Sequence, residues 1–195
     1  MTAEKLKILV VDDNEEFCKN IIDILILQDY EVVNYAIVLR LLDTGQRESE
    51  LANCSINGLN LEDGYMKVLG KGAKERVVPI GVHCQQTLRN YVDNVRPVPQ
   101  KDEYDALFLT SIGNPITSNT IKLLFHRLSK ASGIGRLHDH LCRHTFAVNY
   151  IMNGGELSSL KEILGHTTFE MVNHYLHFTR SQITAQHHKY SPMDR

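Results

Sequence analysis

Six side chains in this sequence are of the types that phosphodiester chemistry requires: Arg47, Lys71, His140, Arg143, His166 and Tyr175. A phosphodiester under attack gathers charge on its non-bridging oxygens, and a guanidinium grips two of them at once through parallel N–H donors. Arg47 and Arg143 are the candidates for that role. A phenol has a pKa of about 10 and is a poor nucleophile at neutral pH, so Tyr175 would need positive charge beside it and a base for its proton. His140 is the candidate base. Expelling a deoxyribose 5′ oxygen calls for a proton donor, and a lysine close to arginines supplies one without a metal. Lys71 is placed to do so.

Taken singly, each of these motifs has an ordinary structural explanation. His140-Leu141-Cys142-Arg143 puts two polar side chains on one helical face. Thr44-Gly45-Gln46-Arg47-Glu48-Ser49-Glu50-Leu51 is a plausible helix start, and Gly70-Lys71-Gly72-Ala73-Lys74 reads as a turn between two strand-like runs. Leu164-Gly165-His166, with Tyr175 nine residues after the histidine, fits a helix end and a packed aromatic. The specific signal is their order and spacing together.

That order resembles the catalytic domain of the tyrosine recombinase, or phage integrase, family from about Asn34 to Arg195. The matching features are a Thr-Gly-x-Arg-x-Ser-Glu-Leu box, a Gly-Lys-Gly hairpin, a His-x-x-Arg helix, a Leu-Gly-His box and a following tyrosine. The resemblance implies a mainly α fold with a small antiparallel β-sheet. It also implies a 3′-phosphotyrosyl intermediate that lets strands rejoin, with no cofactor and no metal, and Glu50 in support of the arginine and the histidine. Duplex DNA is the implied partner, with self-association as a tetramer through the C-terminal segment, and related enzymes that nick single strands make relaxation of supercoils a side activity. Families of this kind carry a further helical domain that completes a clamp on DNA. These 195 residues leave no room for it, so a weak grip is expected.

The elements that position the six residues can be read locally. Tyr35 to Leu42 is apolar on a helical face, Thr44-Gly45 is a stop, and a second helix starts near Gln46, with Arg47 among backbone N–H groups that favour phosphate. Tyr65 to Leu69 and Arg76 to Ile80 are strands of a hairpin with Lys71 at its tip. Val82 to Val95 and Thr117 to Ala131 are core helices, marked by Leu88, Val92 and Val95, then by Ile121, Leu124, Phe125 and Leu128. Thr167 and Glu170 fit a capping box, which starts a helix just after His166 and carries Tyr175 about two turns in. Ser181 to Lys189 forms a last helix, and adjacent His187 and His188 lack partners at metal spacing.

Three positions depart from the family pattern. Arg40 interrupts the apolar run from Ala36 to Leu42, where it must snorkel or else incur a burial cost of about several kcal/mol. Gln46 is polar where an apolar residue is usual. Asp139 stands before His140 where relatives have proline; it is a candidate cap for the helix carrying His140 and Arg143, and it sets a negative charge beside an incoming phosphate.

Residues 1–33 do not fit that pattern. Lys7-Ile8-Leu9-Val10-Val11-Asp12-Asp13, an amphipathic helix from about Glu15 to Leu27 and strand-like Tyr30-Glu31-Val32-Val33 resemble the opening β-α-β of a response-regulator receiver. A phosphoacceptor aspartate, a later Ser or Thr and a later Lys have no counterparts. The expected division is therefore an incomplete receiver-like fragment, 1–33, and a catalytic domain, 34–195. Either the whole segment is a graft or its helix is native and only the strand is foreign. The competing functions are a chimera with the integrase fold and little activity, and a receiver-type signalling module.

Composition sets limits. Hydrophobic residues make up 43% and charged residues 23%, ordinary for a soluble globular protein. No apolar run approaches a membrane span, so no membrane partner is expected. Cys18, Cys54, Cys84 and Cys142 lack metal or redox spacing, which suits free thiols in a reducing cytoplasm, nucleoid-associated when DNA is bound. Net charge is −2, but residues 1–34 hold three lysines against eight acids, while the remainder holds eighteen basic and fifteen acidic side chains and all ten histidines. A mildly basic domain binds phosphate in a strongly salt-sensitive way.

Overall fold

The computed structural model describes residues 32–70, 72, 74–133, 137–173, 175, 184, 187–189, 191 and 193. The receiver-like reading as far as residue 31, Lys71 and most of the tail helix lie outside the described residues. Of that tail, residues 184 and 187–189 are helical.

Helix α1, Val32–Thr44, lies at the centre, with every residue from Ala36 to Leu42 buried. A helix buried on every face has no wet side to spare, so it is wrapped by neighbours. These are α3 (Val82–Asn90), the π-helical turn Tyr91–Val95 that continues it, and α5 (Asp139–Met152). Asp43 ties α1 to α3, its Oδ2 accepting from the Gly81 amide at the start of α3 at 2.9 Å. The expected strand at Val32-Val33 is instead helix, running through 33 and 34 without a break: Val33 packs against the core, and that burial outweighs β-branched preference.

Short helix α2, Glu48–Ala52, follows α1 after a turn, as the sequence suggests. The hairpin forms with strands Tyr65–Leu69 and Glu75–Pro79 paired antiparallel, Met66 opposite Val78, closed by Gly70 N–H to Lys74 O at 2.8 Å. Numbered β2 and β3, they are joined by an edge strand that the sequence did not signal, β1 (Leu59–Asn60), in the order β1-β2-β3. One face of the sheet buries Met66, Val68 and Val78 in the main core.

Helix α4, Ser118–Ser132, is capped by Thr117 and ends at Gly133; it buries Ile121, Leu124, Phe125 and Leu128 as the i, i+3, i+4, i+7 spacing requires. Val95 was expected in the core, yet it lies exposed, because the π turn rotates the last residues of its helix away from the apolar face. A second, smaller core joins α5 to α6 (Leu157–Leu164) and α7 (Glu170–Asn173) through Ala147, Ile151, Leu160, Leu164 and Val172, with Tyr175 packed on it. Cys54, Cys84 and Cys142 are buried and form no disulfide among the described residues. No helix among the described residues is long and apolar enough to cross a membrane.

Candidate active site

The Thr44-Gly45 turn places Arg47. Gly45 has φ +59°, and a Cβ there would meet Phe146 Cδ1 at 2.6 Å and Leu164 Cδ2 at 2.8 Å, so only glycine lets α5 and α6 close over the turn. Its carbonyl accepts from Arg143 Nη1 at 2.6 Å. Arg47 is the N-cap of α2. Its amide donates to Glu50 Oε2 at 3.1 Å and its Nη1 to Glu50 Oε1 at 2.9 Å. That amide is thus occupied by Glu50, contrary to the expectation that it would face phosphate, whereas the guanidinium, 33% exposed, keeps its other donors free of hydrogen bonds among the described residues.

Glu50 also holds Arg76, which sequence reasoning missed. Arg76 Nη1 and Nη2 reach Glu50 Oε1 and Oε2 at 3.1 and 2.8 Å, and Arg76 Nε donates to Ile163 O at 3.1 Å. A signal was present: alternation along β3 sets Arg76 on the face of buried Val78, and an inward arginine requires an acid. Burial alone would raise the Glu50 carboxyl's pKa; the hydrogen bonds from Arg76 and Arg47, with the charges of both, outweigh burial and hold it below the usual carboxylate value. Gly165, at φ +64° after α6, leaves space for this arginine, since a Cβ would lie 3.0 Å from Arg76 Cζ.

Arg143 is buried on α5. Besides Gly45 O it donates from Nη2 to Leu164 O at 2.9 Å and to His166 Nε2 at 2.7 Å. Burial and the Arg47 charge lower its pKa, while nearby Tyr175 and Glu50 raise it. A guanidinium can only donate, so Nε2 of His166 is the acceptor and its proton sits on Nδ1. That Nδ1 is buried and has no hydrogen-bond partner among the described residues. Burial first, then the charges of Arg143, Arg47 and Arg76, push the His166 pKa down to about 4, so the ring is neutral near pH 7.

Tyr175 lies in a turn after α7, its amide bonded to Val172 O at 3.0 Å. Its ring stacks on His166 at 6.2 Å and 7°, and meets His144 at 5.5 Å and 49°. The Thr167–Glu170 capping box does not form: the Thr167 hydroxyl donates to Met171 Sδ at 3.8 Å, and the helix begins only at Glu170. Phe169, held under the Lys161 ammonium at 5.1 Å, extends the link to α6 and delays the helix. Tyr175 therefore follows α7 instead of standing two turns inside it.

Arg143, His166 and Tyr175 touch one another, and Arg47, Glu50 and Arg76 form a second linked set whose charges act on the first. His140 stands apart, 71% exposed one turn before His144, with Asp139 Oδ2 4.0 Å from its Nε2. Asp139 is the first residue of α5 and not its cap, because His138 takes the N-cap position without a side-chain bond. His144, immediately after Arg143, is the second residue missed. Gln46, polar where apolar is usual, is buried but partnered by Thr44 and by Cys54 Sγ at 3.7 Å.

The family model described as the phage integrase family matches residues 12–182. A tyrosine recombinase XerD from Staphylococcus saprophyticus is 35% identical over 151 residues, covering 76% of this chain and 51% of the relative. A tyrosine recombinase XerC from Staphylococcus aureus is 32% identical over 181 residues, covering 92% and 57%. The chain spans about half the length of these curated relatives. Among solved structures, a XerA recombinase superposes with a TM-score of 0.79 at 27% identity over 94% of this chain and 66% of that one. A Tn1549 transposon integrase in complex with circular intermediate DNA shares the fold, with a TM-score of 0.71 at 21% identity over 97% and 68%.

Proposed function

The chain belongs to the phage integrase family, and on that premise we propose that it breaks and rejoins DNA strands site-specifically through Tyr175. The observation that carries this reading is the position of Tyr175, stacked on His166, which Arg143 contacts, at a site where the charges of three arginines outnumber one carboxylate. Such an excess of positive charge favours an anion, and the Nδ1–H of His166, without an acceptor among the described residues, is a donor that a phosphate oxygen would satisfy.

The Tyr175 oxygen attacks phosphorus and the bond to the 5′ oxygen breaks, leaving a 3′-phosphotyrosyl link and a free 5′-hydroxyl. His140 accepts the phenol proton, and Lys71 on the hairpin donates one to the leaving oxygen. Arg47, Arg143 and His166 hold the non-bridging oxygens, and Glu50 holds Arg47 in place. Attack by a 5′-hydroxyl on the link reverses each transfer and rejoins the strand, so no metal or cofactor is consumed. The catalytic unit lies within residues 34–195, with 1–33 leading into it. Duplex DNA is the substrate, chains assemble as a tetramer on it through the C-terminal segment, and the protein works in the cytoplasm on nucleoid DNA.

Relaxation of a supercoiled circle in EDTA at low salt tests breakage and rejoining together. Relaxed, resealed circles that disappear with Tyr175→Phe are expected. Unchanged supercoils with well-folded protein in excess, or relaxation that survives Tyr175→Phe, would overturn the reading.

A further inference from the structure

Arg76, on β3, reaches the surroundings of two phosphate-holding candidates at once. Its Nη1 and Nη2 donate to Glu50 Oε1 and Oε2 at 3.1 and 2.8 Å, and the same two oxygens take Arg47 Nη1 at 2.9 Å and the Arg47 amide at 3.1 Å. Four donors fill the acceptor sites of one carboxylate, so Arg76 fixes the direction of Glu50 and with it that of Arg47. Its third donor, Nε, reaches Ile163 O at 3.1 Å, while Arg143 Nη2 takes Leu164 O at 2.9 Å. Two arginines thus satisfy the last carbonyls of α6, which have no partner inside their own helix. Gly165 and His166 follow directly. A Cβ at Gly165 would lie 3.0 Å from Arg76 Cζ and 3.1 Å from both Nε and Nη1, so the flat of the guanidinium rests against that turn. A Cβ at Gly70, where the hairpin turn begins, would stand 3.2 Å from Nη1.

We propose that Arg76 is a positioning residue for strand cleavage: its one guanidinium aims Arg47 through Glu50 and seats His166 through the end of α6. A plain ion pair with Glu50 would be served by a lysine, since it needs a single charge. Three donors in one plane, on acceptors from α2 and α6 together, need a guanidinium. The side chain is turned inward, 15% exposed against 33% for Arg47, so it acts through these groups and not on the phosphate. Because Arg76 pairs with Val68 across the hairpin, two residues before Gly70, the same contacts tie Arg47 and His166 to the base of the hairpin turn. The effect on cleavage rests on the recombinase reading; the hold on Arg47 and His166 does not.

The test compares the full parent chain with Arg76→Lys and Gly70→Ala, each checked by thermal melting. Lysine keeps a charge opposite Glu50 but loses the planar set of donors. Alanine at Gly70 keeps Arg76 and presses a methyl on its Nη1, so it carries the test if Arg76→Lys fails to fold. One readout is the rate of covalent adduct formation on a nicked duplex at saturating DNA, with DNA affinity measured beside it. The other is the NMR signals of the Arg47 guanidinium and the His166 ring, recorded without DNA. Arg76→Lys should slow adduct formation about a hundredfold, the cost of misplacing a group by roughly 1 Å, with DNA affinity unchanged and both signals shifted. Gly70→Ala should shift the same signals and slow the adduct less. Unshifted signals in folded variants overturn the positioning role. Shifted signals with parental adduct rates, or a loss confined to DNA affinity, overturn its part in cleavage. No adduct from any chain, the parent included, overturns the recombinase reading, and the NMR shifts then still decide whether Arg76 holds Arg47 and His166.

Discussion

Arg143 donates to Nε2 of His166 at 2.7 Å, which fixes the imidazole as a neutral acceptor with its one proton on a buried Nδ1 that has no partner among the described residues. The folded pKa, about 4, lies below the usual 6.5. The unfolded chain therefore binds more protons than the folded one between these values, so this contribution to stability is complete above pH 6.5 and is lost as pH falls toward 4. NMR titration of the His166 ring should give a midpoint near 4, and Arg143→Met, which removes a neighbouring charge, should raise it. A midpoint near 6.5 in the parent chain would contradict the assignment.

Glu50 ties two arginines that are far apart in sequence, and its carboxylate is buried. Its folded pKa lies below the ordinary carboxylate value, so its contribution is present above about pH 4.5 and is lost as pH falls through the folded value. Glu50→Ala leaves Arg76 and Arg47 facing each other uncompensated and should destabilise the fold by about 3 kcal/mol in urea unfolding, within the range for breaking one side of a buried pair. A loss below the roughly 1 kcal/mol of a surface pair would contradict this role.

Arg40 is fully buried in the middle of α1, and Nε, Nη1 and Nη2 have no hydrogen-bond partner among the described residues. Burial is the main cause that lowers its pKa, and the nearby Arg76 charge adds to it. Arg40→Leu should raise unfolding stability by about 1–4 kcal/mol. Equal or lower stability would mean that the guanidinium has a compensating partner.

His140 and His144 are separable by substitution. His140→Ala should slow Tyr175-dependent cleavage about a hundredfold or more, as expected for loss of a proton acceptor. His144→Phe keeps a ring against Tyr175 and should retain most of the rate. The reverse outcome would transfer the proton-handling role to His144.

Much of this architecture is legible locally. The α4 helix follows from Ile121, Leu124, Phe125 and Leu128 at helical spacing, and the hairpin from two strand-like runs around Gly70 and Gly72. Motif order singles out Arg47, Arg143, His166 and Tyr175, and the last three touch one another. What was not legible depends on long-range contact. Arg76 acquires its role from Glu50, 26 residues earlier, and from Ile163, 87 residues later. The late start of α7 reflects Phe169 under Lys161, a contact that a Thr167–Glu170 pattern cannot report. Arg40 was recognisable as an anomaly, but its complete burial depended on how closely the helices around α1 pack.

The central claim is that Tyr175 is the nucleophile, held by Arg143 and His166. A nicked suicide duplex traps the covalent intermediate because the short released fragment diffuses away and cannot rejoin. Denaturing electrophoresis in EDTA, followed by mass analysis of the digested adduct, should show a 3′-phosphotyrosyl peptide at Tyr175 in the parent chain and none with Tyr175→Phe. A 3′ adduct on another residue, an adduct that persists in the Phe variant, or none from folded protein at low salt and high DNA concentration would contradict the account.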